Sequence, residues 1–151
     1  MLAMKSSFDK ITRDELTNRI NSINENNKAQ WGKMNVYQML KHCTLWEEMI
    51  FGNKIYKQVL IGRIFGKMAL RNVLKDEKPL NRNSPTISEF IIKQTIGDIS
   101  KEKIKWLEII KQYEHFTKDN FIHPFFGKLT KEQIGFMAYK HADHHLRQFG
   151  A

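Results

Sequence analysis

The chain has 151 residues, the size of one domain whose core needs neither disulfides nor a structural metal. Its 25 Lys and Arg residues against 16 Asp and Glu residues give a formal charge of +9, which favours anionic partners, although many soluble proteins are equally basic. The single cysteine, Cys43, excludes an internal disulfide, and no apolar run approaches membrane-spanning length. The N-terminal residues lack the apolar region of a secretory signal, so we expect a soluble, cytoplasmic protein.

Helix-start signals divide the first half of the chain. Thr12–Glu15 has the sequence of a capping box, which predicts a first helix that ends at the Asn-rich residues 24–27. A second cap at Asn35 precedes a helix predicted to end at Gly52. The apolar and basic residues 58–75 predict a further, mostly helical segment.

The second half of the chain begins with a poorly determined segment, residues 76–98, in which mixed structure is open. Ser100 is predicted to cap a helix that reaches about Phe116. A turn-rich connection, residues 121–129, then leads to the capping box that starts at Thr130 and opens the last helix. The inward face of the helix after Ser100 is predicted to hold the following residues: Ile104, Leu107, Ile110 and the stem of Lys111.

The whole pattern predicts one all-α domain over residues 1–151. Four or five helices are expected, and a bundle is their simplest packing. The segment 54–98 adds a short helix or stays irregular. The sequence contains no internal repeat and none of the alternation that is typical of a sheet.

The last helix carries three histidines within five residues, His141, His144 and His145. Side chains four apart on a helix lie about 5–6 Å apart at Cβ, so His141 and His145 can hold one ion. His144 lies at the margin of their face and Asp143 points to the opposite side. The alternative is a frayed helix end with solvated histidines. One stripe is predicted to contain the following residues: Ile134, Met137, Ala138, His141, His145 and Gln148.

A third ligand is expected from another helix, and His42, at the edge of the apolar face of the second helix, is the best candidate. A lone histidine there is more often a satisfied boundary residue, but buried imidazoles on adjacent turns need partners. Three histidines with open positions are typical of zinc or another first-row divalent metal. His123, before Pro124, either lines the site entrance or bonds a turn carbonyl, and His115 interacts with a helix end.

Other catalytic motifs are excluded. A zinc protease helix needs a glutamate directly after its first histidine, where this chain has Ala142. The stretch GRIFGK (62–67) is one residue too short for a phosphate-binding loop, and Met68 stands where such a loop needs Ser or Thr.

Residues 54–75, here named the basic strip, contain six basic residues and no acidic one. Arg63, Lys67, Arg71 and Lys75 lie four apart. Three interpretations are open: the solvated face of an amphipathic helix, a surface that binds membrane or nucleic acid, or a source of positive charge beside the histidine site. Four apolar residues are available to pack inward: Leu60, Ile64, Phe65 and Met68.

In three segments the chain resembles the DinB/YfiT-like superfamily of proteins regarded as metalloenzymes, within a bacterial branch of unknown function. The segments are WGKMNVYQMLKHC (31–43), HPFFGKLT (123–130) and KHADHHLRQFG (140–150). The resemblance implies a four-helix bundle, often dimeric, with a divalent metal held by three histidines and completed by waters.

Carried over position by position, the resemblance implies that His42, His141 and His145 are the metal ligands. Gln148 matches a recurrent position with an expected supporting role, and His144 competes with His145 as an alternative ligand. Zinc or nickel is the expected metal, with iron or manganese as alternatives. Characterised relatives include thiol-dependent transferases and isomerases that use bacillithiol, mycothiol or glutathione.

The leading functional hypothesis is therefore a metal-dependent transferase that acts on a small-molecule substrate with a low-molecular-weight thiol. His123 or His144 would carry protons, and the basic strip would attract the carboxylates of the thiol. The alternative is a non-catalytic binding protein with a structural metal, which contacts nucleic acid or membrane through residues 54–75. Homodimerisation is expected from the resemblance alone.

Overall fold

A computed structural model describes residues 4–151, and these form a mainly α-helical fold with five α-helices and one two-stranded hairpin. The helices are α1 (Lys10–Ser22), α2 (Val36–Ile50), α3 (Leu60–Val73), α4 (Ile99–Gln112) and α5 (Lys131–Gln148). The strands are β1 (Phe121–His123) and β2 (Gly127–Leu129). Single turns of 3-10 helix occupy Ser88–Phe90 and Tyr113–His115.

Four of the helices surround the core. α2 packs against α4 and α5, and α1 packs against the same two helices. Leu40, Trp106 and Leu146, from three different helices, are completely buried between them. α3 instead packs against the hairpin, so it lies at the side of the other four.

Two of the four predicted helix caps are confirmed and two are wrong. Asn35 and Thr130 both form complete capping boxes. α1 begins before Thr12, because the Arg13 guanidinium donates to the Ser7 and Phe8 carbonyls and fixes the chain ahead of the helix. α4 begins before Ser100, because the Asp98 carboxylate accepts from the Lys101 amide at 2.9 Å.

The prediction of an all-α chain is wrong at residues 121–129, which form the hairpin. Phe121 pairs with Leu129 and His123 with Gly127 in antiparallel register. Each strand has only three residues, too few for an alternating pattern to be recognised in the sequence. In the described chain, residues 76–98 contain no strand, only the turn at Ser88–Phe90.

The side of α4 that faces the core differs from the predicted one. Trp106 and Ile110 are buried, whereas Ile104, expected inside, is 56% exposed. Trp106 and Ile104 lie nearly opposite one another on a helix, and the larger apolar surface of the indole occupies the core.

α3 faces the opposite way from the prediction. Its glycines lie inside: a Cβ at Gly62 would come within 2.4 Å of the Phe125 carbonyl oxygen, and one at Gly66 within 2.1 Å. The backbone of the turn therefore replaces side chains on this side of the helix. The large apolar residues lie on the solvent side, here named the outer face of α3: Leu60, Ile61, Ile64, Phe65 and Met68.

We expect Gly66→Ala to destabilise the protein. Alanine favours a helix over glycine by about 1 kcal/mol, but its Cβ would overlap the Phe125 backbone, and such overpacking costs about 1–3 kcal/mol. Asn72→Ala, on the exposed side of the same helix, is the control and should change the free energy of unfolding by less than about 0.5 kcal/mol. Urea denaturation measures both, and a Gly66→Ala protein more stable than the parent would contradict the packing.

A carboxylic acid is buried between α2 and α4. Glu47 is fully buried, accepts a hydrogen bond from the Tyr113 hydroxyl, and lies near Trp106, whose indole nitrogen has no hydrogen-bond partner within residues 4–151. Burial raises the pKa of Glu47 to about 8, because desolvation outweighs the help that Tyr113 gives the ionised form. The folded protein therefore holds a proton here that the unfolded chain releases near pH 4.5.

The free energy of unfolding should consequently fall as the pH rises through this window, from about 4.5 to about 8, because only the folded state binds the proton there. Glu47→Gln should flatten the pH dependence by up to about 1.4 kcal/mol per pH unit. Urea titrations of the parent and the variant at several pH values provide the measurement. Glu108→Gln, exposed on α4, should keep the slope of the parent; parallel curves for Glu47→Gln and the parent would contradict the buried acid.

Candidate metal centre

α2 and α5 bring three histidines together in the interior. His42 lies in the second turn of α2, and His141 and His145 lie on adjacent turns of α5. Their exposed fractions are 5%, 9% and 7%. One ring nitrogen from each lies within 4.8 Å of the other two, and the Nε2 atoms of His42 and His141 are 3.1 Å apart.

Hydrogen bonds fix the proton position on two of these rings. His42 Nδ1 lies 2.9 Å from the Phe90 carbonyl oxygen, which can only accept, so Nδ1 carries the proton. Gln148 donates its side-chain amide to the Trp31 carbonyl, so its oxygen accepts from His145 Nδ1 at 2.9 Å. The Nε2 lone pairs of His42 and His145 are therefore both free to bind an ion.

His141 is stacked on Trp46, with ring centroids 4.4 Å apart and an interplanar angle of 14°. Its Nδ1 atom is buried and has no partner within residues 4–151. A proton on Nε2 would leave the Nδ1 lone pair without a donor. A proton on Nδ1 would leave two Nε2 lone pairs, from His141 and His42, facing each other, and these repel unless a cation lies between them.

All three imidazoles favour the neutral form that a metal ligand requires. Burial lowers the pKa of His42. Burial also lowers the pKa values of His141 and His145 well below the usual value, and the neighbouring histidines add to the effect.

This donor set fits a divalent ion. Nitrogens about 2.0–2.1 Å from one ion lie about 2.8–3.4 Å apart in octahedral or tetrahedral arrangements, and the His42–His141 separation of 3.1 Å is in that range. Imidazole is a preferred ligand of zinc, nickel and iron. The three histidines could therefore hold a metal ion.

Gln148 lies where the sequence predicted, on the stripe with His141 and His145, and its role is to orient His145 and tie it to Trp31. Asp143 lies away from these histidines as expected, but it is buried rather than solvated. Its carboxylate accepts from Arg19 of α1 at 2.8 Å and from Arg147 at 2.7 Å, which joins α1 to α5.

His144 is not part of the three-histidine group. Its ring packs against His145, at 5.0 Å between centroids, and against Trp31, at 5.5 Å. It lines a cavity of about 440 Å³ that also contains Arg82, whose guanidinium lies 4.4 Å from the centre of the Trp31 ring. Arg82 and Arg147 line this cavity, whereas neither the basic strip nor any of the three candidate ligands does.

His123 is buried in the hairpin and bonds within a turn, but its partners are main-chain amides rather than the turn carbonyl predicted from the sequence. Its Nδ1 atom accepts from the Phe125 and Phe126 amides at 3.0 and 3.2 Å. Burial lowers its pKa to about 3. Protonating Nδ1 would break both bonds that hold the turn. His115 is exposed at the end of the 3-10 turn after α4.

Three participants were not predicted. The Phe90 carbonyl belongs to the main chain of an irregular segment, so no side-chain pattern indicates it. Arg82 lies in the same segment and is recognisable only by its place over Trp31. Trp46 stacks on His141, and its spacing of one helical turn from His42 is the signal in the sequence that indicates its position beside the site.

The sequence matches, over residues 3–151, the profile of a family described as a protein of unknown function (DUF1569). The chain belongs to the DUF1569 family. The match covers both histidine segments, so all three candidate ligands of this DUF1569 protein lie within the family region. No curated protein and no solved structure shows significant similarity to the chain.

Within residues 4–151 of this DUF1569 protein, no helix combines the length and apolar character needed to cross a bilayer.

We expect the protein, purified without a histidine tag, to contain about one equivalent of a divalent metal. The His141→Ala, His145→Ala double variant should lose it, because two of the three donor nitrogens are removed. His115→Ala, an exposed histidine, is the matched control. His144→Ala should also retain metal, since His144 lies outside the group. Elemental analysis measures the metal content of each protein, and circular dichroism checks that each variant folds. An equal metal content in the parent and the double variant would contradict the site.

Proposed function

We propose that this protein is a DinB-like, metal-dependent transferase that joins a low-molecular-weight thiol to a small electrophilic substrate. The observation that carries the proposal is the convergence of three buried, neutral imidazoles from α2 and α5. A cavity lined by Arg82 and Arg147 reaches His144, whose ring packs against His145. Three protein ligands leave coordination positions open, which is typical of catalytic rather than structural sites.

The helix arrangement supports a bundle of the DinB type. α1, α2, α4 and α5 form the four packed pairs α1 with α4, α1 with α5, α2 with α4 and α2 with α5. α3 and the hairpin are then additions at the side. The three ligands come from two helices of the four, so the bundle itself would hold them at fixed separations.

His42, His141 and His145 would hold the ion, with Phe90 and Gln148 fixing the orientation of two of the rings. A divalent metal bound by such ligands lowers the pKa of a thiol or water and so supplies a nucleophile at neutral pH. In the transfer, the thiol loses its proton, its sulfur forms a bond to the electrophilic carbon, and the leaving group departs with its electron pair. Buried apolar rings, including Trp46, exclude water from one side of the site.

The cavity supports an anionic thiol. Arg82 and Arg147 line it, and the Asp143 carboxylate already binds Arg147, so Arg82 is the cation with the larger unused hydrogen-bonding capacity. A carboxylate bound to Arg82 would place the rest of the thiol along Trp31 and His144, towards His145. Low-molecular-weight thiols that carry carboxylates are therefore the proposed cosubstrates.

The test incubates metal-loaded protein with bacillithiol, mycothiol, glutathione or cysteine and with epoxide or aryl halide electrophiles. Sulfur-linked adducts, detected by mass spectrometry, are expected from the parent and not from His42→Ala. Arg82→Gln should raise KM for the thiol by about tenfold with a much smaller change in kcat, because it removes a charged hydrogen bond used in binding. Lys33→Gln, an exposed cation outside the cavity, is the control.

A loaded protein that forms no adduct with any thiol would overturn the transferase. If the metal is then retained and its removal lowers the melting temperature, the site is structural, as in the second hypothesis drawn from the sequence. An equal effect of Arg82→Gln and Lys33→Gln on KM would remove the argument for the cavity as the thiol site.

A further inference from the structure

The outer face of α3 is the largest continuous run of exposed apolar side chains on one element in the described chain. Leu60, Ile61, Ile64, Phe65 and Met68 are between 48% and 73% exposed. Soluble proteins commonly expose single apolar residues at scattered positions, whereas these five lie together on one helix, which makes the face a candidate for binding a partner.

The residues of α3 fall into four rows along the helix axis, and the members of each row are four positions apart in the sequence. Gly62, Gly66 and Leu70 form the buried row. The apolar residues of the outer face occupy the two rows on the far side. Arg63, Lys67 and Arg71 form the remaining row, which borders the one that contains Ile64. The helix therefore presents an apolar surface to solvent with a row of positive charge along one edge.

The charges along this edge are available to a partner. Arg63, Lys67 and Arg71 form no ion pair with any of residues 4–151. The sequence from residue 54 to 75 also contains no acidic residue. A partner that covers the outer face must therefore be apolar where it meets Ile64 and Phe65 and negatively charged beside Arg63 and Lys67.

We propose that α3 binds the protein to the surface of an anionic lipid bilayer. A helix that lies in the plane of a membrane buries its apolar side among the acyl chains, and its Lys and Arg side chains reach the headgroups. α3 is already held at the side of the fold by the hairpin, with its axis fixed through the glycine contact to Phe125. It can therefore meet a membrane without unfolding or leaving the protein. The inference is independent of the metal site.

A second copy of the chain fits this face less well. A two-fold contact would place the cationic edges of both copies at the same interface, where like charges repel. The face is also small. A helix about 21 Å long and about 10 Å wide presents on the order of 200 Å², whereas a stable dimer buries about 800 Å² per partner. Nucleic acid would bind the Lys and Arg side chains through its phosphates, but the apolar residues of the outer face would then contact nothing.

The test is sedimentation of the purified protein with vesicles of phosphatidylcholine alone or of equal parts phosphatidylcholine and phosphatidylserine. The parent should bind the mixed vesicles more tightly, and added salt should weaken the binding. Ile64→Ser with Phe65→Ser should lower the partition coefficient on mixed vesicles at least about tenfold. Arg63→Gln with Lys67→Gln should lower it roughly fivefold per charge removed, on mixed vesicles only.

The matched controls are Ile104→Ser and Lys111→Gln, exposed residues of the same chemistry on α4, which should bind as the parent does. All these positions are exposed, and circular dichroism checks that each variant folds. The proposal is overturned if the parent does not sediment with mixed vesicles, or if the controls lose as much binding. It is also overturned if light scattering finds a dimer that the Ile64→Ser, Phe65→Ser variant dissociates. Salt-sensitive binding to duplex DNA that survives this variant, without vesicle binding, would assign the strip to nucleic acid instead.

Discussion

The burial of three imidazoles at the contact between α2 and α5 is the constraint on which the rest of the site depends. A buried polar nitrogen without a partner costs free energy, so each ring must bind something. His42 and His145 each use one nitrogen for a hydrogen bond within the protein and turn the other toward the same point. His141 completes the set, and its Nδ1 atom has no hydrogen-bond partner within residues 4–151.

The hydrogen bonds that orient these rings reach into two of the connections between helices. Phe90 belongs to the long connection between α3 and α4, and Trp31 belongs to the connection between α1 and α2. The first connection is joined directly to His42 through the Phe90 carbonyl, and the second is joined to His145 through Gln148. The same two connections supply Arg82 and Trp31 to the cavity.

Charge has two separate roles in this molecule. Arg82 and Arg147 line the cavity beside the histidines, whereas the basic strip lies along α3, outside that cavity. The sequence pattern could not separate them, because it counts charges along the chain and the cavity is assembled from distant segments. The positive net charge therefore supports two proposals, an anionic thiol at one place and an anionic lipid surface at another.

The sequence by itself determined the two capping boxes at Asn35 and Thr130 and the stripe that places His141, His145 and Gln148 on one side of α5, because these are local consequences of helix geometry. Only the tertiary structure decided that Asp143 is buried against Arg19, that His123 locks a turn, and that α3 turns its glycines inward. For Asp143 and for the glycines of α3 the deciding contact comes from a residue far along the chain, whereas the His123 bonds span only two and three residues. A pattern confined to one helix specifies which residues share a face, but the neighbouring segment decides which face is buried.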